Sequence, residues 1–190
     1  MSEERVRSFI AVAVPPASAE RLRVAHERLR EAEPGIKWVN PDGFHITLKF
    51  LGGVEPDRLQ ALWSDVSEAL DGVAGFTMHF QGIGAFPNPN RARVVWAGVT
   101  DGAAELTEIA KRIEQVSSEH GFEMETRPFA AHMTLGRARE AASSPALAAA
   151  MREMASVELG QVSVDRVLLM KSELTRQGAM YHELEHKLLQ

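Results

Sequence analysis

The stretches His45-Ile46-Thr47-Leu48 and His132-Met133-Thr134-Leu135 decide the fold of this chain of 190 residues. Both read His-x-Thr-Leu, and they begin 87 residues apart. Because side chains alternate between the two faces of a β-strand, His and Thr share one face while the two apolar residues share the other. We therefore expect each stretch to be a strand whose apolar face packs in a core and whose His–Thr face lines a site.

The elements predicted around the two stretches follow the same order. Each copy has an apolar strand (7–14 or 94–99), a helix, the His-x-Thr-Leu strand, another helix and a last strand, which covers 161–171 in the second copy. Phe9 matches Val94 at a spacing of 85 residues, and Phe76 matches Val162 at 86. A nearly constant spacing indicates an internal duplication.

Two copies of this unit predict an α+β fold with pseudo-two-fold symmetry. Antiparallel-rich sheets carry helices on their outer faces, and two lobes enclose a central cleft. Residues 1–190 form a single domain, with lobes over roughly 1–90 and 91–190 that are free to exchange terminal strands. A single ferredoxin-like sheet is the alternative architecture. In the two-lobed arrangement, the two His–Thr faces lie on opposite walls of the cleft.

The composition narrows the classes of function. Apolar residues make up 45% and charged residues 25%, as in an ordinary globular protein. The absence of cysteine excludes disulfides and thiolate–metal sites and fits a reducing cytoplasm. The apolar run 9–14 ends at Pro15-Pro16, which is too short for a membrane span. A net charge of −5 argues against a large basic face for duplex nucleic acid but allows a small anionic ligand.

Two imidazoles and two hydroxyls around one small site suit a particular reaction. In-line attack on a cyclic phosphate needs a base that takes a proton from water and an acid that protonates the departing ribose oxygen. Imidazole titrates near neutrality, so one ring can be neutral while the other is charged. The Thr47 and Thr134 hydroxyls can donate hydrogen bonds to the non-bridging phosphate oxygens. This chemistry requires neither a metal ion nor a cofactor.

At these residues the chain resembles the 2H phosphoesterases, and within them the RNA 2′,3′-cyclic phosphodiesterases, once described as 2′-5′ RNA ligases. The similarity spans almost the whole chain, with the strongest matches at 7–12, 37–38, 44–52, 93–96 and 132–137. It implies hydrolysis of a 2′,3′-cyclic phosphate, at an RNA end or in a small cyclic nucleotide, to a 2′-phosphomonoester. It also implies that His45 is the proton donor to the leaving oxygen and His132 the proton acceptor from water. The spacing alone leaves these two roles open.

One position departs from the family pattern. The family commonly carries Pro directly before the second His, whereas this chain has Ala131. The change bears on the local backbone and on no reacting group. We expect a cytoplasmic monomer that acts on RNA without a metal, a membrane or an obligate protein partner.

Several cations are candidates for contacts with phosphate. Arg137, five residues after His132, is the preferred one, because guanidinium binds phosphate oxygens in a planar, bidentate manner. Further options are Arg127, Arg91, Arg93 and Lys49. For each, an ordinary solvated surface charge is the alternative interpretation.

Four aromatic residues offer stacking surfaces for a base: Phe50, Phe86, Trp96 and Tyr181. Alternation along its strand predicts that Phe50 packs in the core. No stacking role is assigned to any of them.

The segment His182-Glu-Leu-Glu-His186 matches the H-E-x-x-H signature of zinc proteases. It has no third ligand downstream, and its surroundings alternate as a terminal strand with Leu184 and Leu188 pointing inward. We therefore expect no metal site here. His26, on a helix face rich in Arg and Glu, is expected to be solvated.

Two rival classes of function remain open from the sequence. The same fold can serve as a binding module that holds a nucleotide or RNA end without turnover, and His182 with His186 can form a zinc hydrolase. RNA 2′-5′ ligation, the reverse reaction, would use the same residues as hydrolysis.

Overall fold

A computed structural model describes residues 5–175 and 178–190. Within these ranges, the chain forms nine β-strands and four α-helices. In chain order they are β1 (Val6–Ala13), α1 (Glu20–Ala32), β2 (Lys37–Trp38), β3 (His45–Val54), α2 (Pro56–Ala69), β4 (Phe76–Phe86), β5 (Ala92–Val99), α3 (Ala103–Glu119), β6 (His132–Ala142), α4 (Pro145–Glu153), β7 (Glu158–Val164), β8 (Arg166–Thr175) and β9 (Gly178–Leu188).

The strands form a four-stranded sheet, in the order β3-β1-β8-β9, and a five-stranded sheet, in the order β2-β6-β5-β4-β7. Neighbouring strands are antiparallel in both sheets. Helices α2 and α3 pack on each other and α3 contacts β3, whereas α1 and α4 pack on each other and α1 contacts β7. The predicted α+β class with antiparallel sheets is confirmed, and two sheets form instead of a single ferredoxin-like one.

Both sheets take strands from both halves of the chain. The four-stranded sheet joins β1 and β3 to β8 and β9, and the five-stranded sheet joins β5, β6 and β7 to β2 and β4. The single strand expected over 161–171 is in fact two strands. The chain leaves the five-stranded sheet after Val164 and enters the four-stranded sheet at Arg166. The lobes therefore share strands, with β2 and β4 crossing in one direction and β8 and β9 in the other.

The two sheets show the expected pseudo-two-fold relation, because the order β3-β1-β8-β9 corresponds to β6-β5-β4-β7. His45 lies opposite the end of β1 as His132 lies opposite the end of β5. In this correspondence β4 matches β8. Phe76 and Val162 instead lie on β4 and β7, which are neighbours in one sheet. Their spacing of 86 residues in the sequence is thus not a repeat relationship.

A β-bulge follows the His-x-Thr positions in both copies. Leu48 has no partner on β1, and Leu135 has none on β5. An extra residue changes the face that later side chains occupy. From the His onward, the first six side chains of both strands are half-buried, buried, half-buried, buried, buried and exposed. The exposed sixth residues are Phe50 and Arg137. The bulges therefore bring these two side chains to the face that carries His and Thr.

Helix α1 shows how the amphipathic helices bury their apolar face. Leu22, Ala25 and Leu29 are buried at helical spacing. His26 follows Leu22 by one helical turn and is only 3% exposed, so the expectation that it is solvated was wrong. Its ring lies edge-on to Trp38 and Phe44, and burial is the main cause that lowers its pKa. Within the described ranges, no helix has the length and hydrophobicity needed to cross a bilayer.

Candidate active site

The strands that carry the two His-x-Thr-Leu stretches meet although they belong to different sheets. β3 and β6 contact each other across the sheets. His45, Thr47, Thr134 and Arg137 line one cleft with a volume of about 1100 Å³. His132 is not among the lining residues, but it lies on the same face of β6 as Thr134, two residues before it. The geometry therefore gathers groups from both copies of the repeat around one space.

Both histidine rings are held by the same kind of hydrogen bond, from Nδ1 to a backbone carbonyl two residues earlier. The Nδ1–H of His45 donates to the carbonyl oxygen of Gly43 at 2.7 Å. The Nδ1–H of His132 donates to the carbonyl oxygen of Ala130 at 2.6 Å. Because a carbonyl only accepts, the proton of each neutral ring lies on Nδ1. Nε2 is then the nitrogen left to accept or donate a proton, in both copies.

Burial lowers the pKa of both catalytic candidates. For His45 and His132 alike, loss of water around the ring is the largest cause, and the hydrogen bond to the backbone carbonyl opposes it. The positive charge of Arg137 lowers the pKa of both rings further. Both imidazoles therefore experience the field of one guanidinium, although they lie 87 residues apart in sequence.

Replacing Arg137 by Gln is expected to raise the pKa of His45 and of His132 together. The substitution removes the positive charge that disfavours protonation of each ring. An NMR titration of the ring nitrogens measures both values in one experiment. Arg91→Gln, at an exposed residue outside the cleft, is the charge-matched control and should move neither pKa. An increase confined to one ring would contradict a shared site.

Arg137 is placed to bind an anion. It is exposed in the cleft, and its Nη2 lies 3.5 Å from the Thr134 hydroxyl oxygen. Strict alternation from His132 would have turned its side chain toward the core, and the bulge at Leu135 prevents this. The preference for Arg137 among the cations thus has a local structural basis that the sequence did not reveal.

Aromatic rings contact both histidines, two at His45 and one at His132. The ring centroids of Phe9 and Tyr181 both lie 4.9 Å from that of His45. On the other side, the Phe86 ring lies edge-on to His132 with centroids 5.3 Å apart. Phe9 was missed as a site residue because its apolar strand is typical of a core. Tyr181 comes from β9, so only the fold brings it to this place.

Gly43 allows Tyr181 to reach His45. A Cβ at this position would lie 3.0 Å from the Tyr181 ring. The carbonyl of the same residue accepts the hydrogen bond from His45. Burial raises the pKa of Tyr181, while Arg137 and Arg7 act in the opposite direction. The hydroxyl is therefore a neutral hydrogen-bonding group in the cleft.

Two expectations about β3 were wrong. Lys49 was an option for a phosphate contact, but it is 3% exposed and its Nζ donates to Glu114 at 2.9 Å and to the carbonyl oxygen of Glu123 at 2.7 Å. Phe50 was expected in the core, but it is 55% exposed and lines the cleft. The bulge at Leu48 explains both, because it shifts the alternation by one residue.

The other three cations considered for phosphate contacts lie outside the cleft. Arg127, Arg91 and Arg93 are exposed and do not line the cleft. Their side chains have the character of ordinary surface charge, which was the alternative interpretation for each.

The H-E-x-x-H segment lies in strand β9, not in a helix. Four residues along a strand span about 13 Å, so His182 and His186 cannot bind one zinc ion together as a helical motif does. The strand was expected, but Leu184 and Leu188 are 40% and 57% exposed and do not point inward. Across the described residues, no cluster of three or more His, Asp or Glu has metal-binding geometry.

Comparison with known proteins gives a consistent picture. The family model described as LigT like phosphoesterase matches the chain twice, over residues 12–96 and 98–181. Each match contains one His-x-Thr-Leu stretch, as expected for a duplication. These two matches cover most of the chain.

Individual relatives and solved structures agree with this match. The RNA 2′,3′-cyclic phosphodiesterase of Aeropyrum pernix is 40% identical over 166 residues, covering 85% of this chain and 92% of its own. That of Methanothermobacter thermautotrophicus is 32% identical over 181 residues, covering 95% and 97%. The crystal structure of E. coli LigT complexed with 3′-AMP superposes with a TM-score of 0.77 at 27% identity, covering 98% of this chain and 99% of that one.

Proposed function

Because this chain belongs to the LigT-like phosphoesterase family, we propose that it hydrolyses 2′,3′-cyclic phosphodiesters at RNA ends, with His45 and His132 as the acid–base pair. Relatives that match over most of their length are named for this activity. The similarity to a LigT structure that contains 3′-AMP supports a nucleotide in the cleft. The sequence had led to the same family and the same reaction.

The Nε2 atoms of the two rings provide the proton transfers that this hydrolysis needs. A water oxygen attacks phosphorus while Nε2 of His132 takes one of its protons. His45 enters the step as an imidazolium, with Nδ1–H bound to the Gly43 carbonyl oxygen. As the bond from phosphorus to the ribose 3′ oxygen breaks, its Nε2–H donates the proton that this oxygen requires. The product carries a 2′-phosphomonoester and a free 3′-hydroxyl. Exchange with solvent then restores the protonation state of both rings. The donor and acceptor roles follow the family resemblance.

Hydroxyl and guanidinium groups complete the site. Thr47, Thr134 and Arg137 line the cleft. Their donors can hold the two non-bridging phosphate oxygens, on which negative charge increases as water attacks. The planar guanidinium of Arg137 can donate two parallel hydrogen bonds to these oxygens, and such bonds strengthen as the negative charge on the oxygens grows.

One observation carries the proposal: both histidine rings are held in the same hydrogen-bonding arrangement. Two imidazoles from different copies donate Nδ1–H to a carbonyl two residues upstream, and one guanidinium lowers the pKa of both. A binding module has no need for two rings with identical tautomers. An acid–base pair does, because each ring must present Nε2 to the reacting atoms.

Incubation with RNA that ends in a 2′,3′-cyclic phosphate is expected to yield a 2′-phosphomonoester. The protein is first dialysed against a chelator, and the product is identified by its mobility and by its sensitivity to a phosphomonoesterase. RNA that binds and is recovered unchanged would support the binding module instead. Product that forms only after a metal ion is added would contradict the metal-independent mechanism. That the protein acts as a monomer in the cytoplasm stays a prediction from the sequence.

A further inference from the structure

Positive charge is concentrated in the cleft of an otherwise acidic protein. Four cationic side chains line it, Arg7, Arg30, Lys37 and Arg137, against one carboxylate, Glu27. That carboxylate already accepts hydrogen bonds from Arg30 at 3.0 and 2.6 Å. The chain as a whole carries a net charge of −5. Within residues 5–175 and 178–190, the other three cations that line the cleft have no carboxylate within 4.0 Å, and their combined field attracts an anion with more than one charge.

Lys37 and Arg137 lie directly opposite each other in the β2–β6 ladder. Opposed residues of an antiparallel pair have Cα atoms about 4.5–5.5 Å apart and side chains on the same face. Like charges in this position destabilise a sheet. Among residues 5–175 and 178–190, no carboxylate lies within 4.0 Å of either cation. An anion bound between them would relieve this repulsion.

The next pair of the same ladder fixes the direction of Lys37. Trp38 lies opposite Gly136 and covers it, so that a Cβ on this glycine would lie 2.7 Å from the indole. The indole N–H donates to the carbonyl oxygen of Glu33 at 3.0 Å. The Trp38 indole packs against the core while the edge of this residue also borders the cleft, and alternation places Lys37 on the opposite face, which it shares with Arg137. The cation is therefore presented by a rigid strand and not by a loose loop.

The cleft extends beyond the reacting groups. Its volume is about 1100 Å³, just above the roughly 300–1,000 Å³ typical of small-molecule pockets. The phosphate at the reacting centre is accounted for by the two His-Thr pairs and Arg137. Lys37 lies beyond Arg137 on the edge strand β2, together with cleft-lining residues 39–41. None of the groups assigned above to the hydrolysis lies in this extension.

We propose that Lys37 binds the phosphodiester that precedes the terminal nucleotide, so that the protein selects an oligoribonucleotide over a mononucleotide. The inference rests on the proposed function, because it takes the terminal phosphate to lie between the histidines. An ammonium group binds a phosphate as a point charge and tolerates different backbone geometries, which suits a flexible single strand. Arg137 and Lys37 then contact successive phosphates of one RNA chain.

Dissociation constants of two unreactive ligands test this site independently of turnover. One ligand is a ribonucleotide trimer that ends in a 2′-phosphomonoester, and the other is the matching nucleoside 2′-monophosphate. We expect the wild type to bind the trimer at least about tenfold more tightly, the effect of one charged hydrogen bond. Lys37→Gln should reduce this ratio about tenfold. The slope of log Kd against log salt for the trimer should fall by about 0.7, the value for one contact to a single strand.

Two charge-matched variants complete the experiment. Lys111→Gln, at an exposed residue of α3 outside the cleft, should keep the wild-type ratio. Arg7→Gln removes a cleft-lining cation of β1, which belongs to the other sheet. A ratio near one in the wild type, or a ratio that Lys37→Gln leaves unchanged, would overturn the inference. So would a ratio lost in Arg7→Gln and kept in Lys37→Gln. Failure of the proposed hydrolysis would appear in the product assay and not in these constants.

Discussion

His45→Ala and His132→Ala are each expected to lower kcat/KM about 10²- to 10⁴-fold on RNA that ends in a 2′,3′-cyclic phosphate. Each substitution removes one of the two Nε2 atoms that transfer protons, while the apolar side of its strand stays in place. The two rings act in a single step, so the double variant should lose little more than the worse single variant. Initial rates at saturating and limiting substrate give kcat and KM separately.

The controls separate chemistry from folding. His182→Ala removes an exposed imidazole of β9 and should retain wild-type activity, which also tests the zinc-hydrolase alternative. Thr47→Val and Thr134→Val should cost less than either histidine variant, since each removes one hydroxyl and no proton-transfer group. Circular dichroism and thermal unfolding show whether each variant keeps its fold. Near-full activity in His45→Ala or His132→Ala would refute the acid–base pair.

The duplicated strand motif was predictable because it depends on local chemistry. Alternation along His45-Ile46-Thr47-Leu48 separates the polar and apolar faces, and the observed burial follows this pattern through Leu48. The second copy repeats it from His132 to Leu135. Two such faces with a duplicated order of elements led to the α+β class and to the family, both of which are confirmed.

The bulges set the limit of that reasoning. A single residue without a partner, Leu48 or Leu135, reverses the faces of everything that follows. Leucine at these positions does not predict a bulge. Strict alternation therefore placed Lys49 in solvent and Phe50 in the core. The structure has the opposite arrangement. Arg137 was chosen for its chemistry, and its direction also depends on the bulge.

Contacts between distant strands were the other unpredictable part. Tyr181 reaches His45 only because β8 and β9 join the sheet that contains β1 and β3. Lys37 meets Arg137 only because the two-residue strand β2 pairs with β6. Such pairings depend on the packing of the whole molecule, to which the local pattern of a short strand contributes little.

Glu114→Ala is expected to lower the free energy of unfolding by about 3–5 kcal/mol, the cost of leaving a buried charge without its partner. The Lys49 side chain is 2% exposed and its ammonium would keep only the carbonyl oxygen of Glu123. Lys49→Met should cost less, because the Glu114 carboxylate is 19% exposed and still accepts a hydrogen bond from the backbone N–H of Glu125 at 2.7 Å. Urea unfolding measures both variants.

The double variant Lys49→Met/Glu114→Ala distinguishes a buried ion pair from ordinary packing. Removing both charges avoids the unpaired charge, so its loss should be smaller than that of Glu114→Ala alone. Arg30→Met, which breaks a pair with Glu27 in which both side chains are about half exposed, should change stability by no more than about 0.5 kcal/mol. A loss of unfolding free energy in the double variant equal to the sum of the two single losses would contradict an energetic coupling between the two charges.

The same pair has a consequence for activity. Lys49 lies four residues after His45, and the loop that it and Glu114 hold, at Glu123 and Glu125, leads into β6 and His132. The ion pair therefore connects the segment that precedes His132 to β3, the strand that carries His45. In Lys49→Met we expect kcat to fall at temperatures where the protein is still folded, because the two Nε2 atoms lose their fixed separation. An unchanged kcat in a destabilised but folded variant would confine the pair to a structural role.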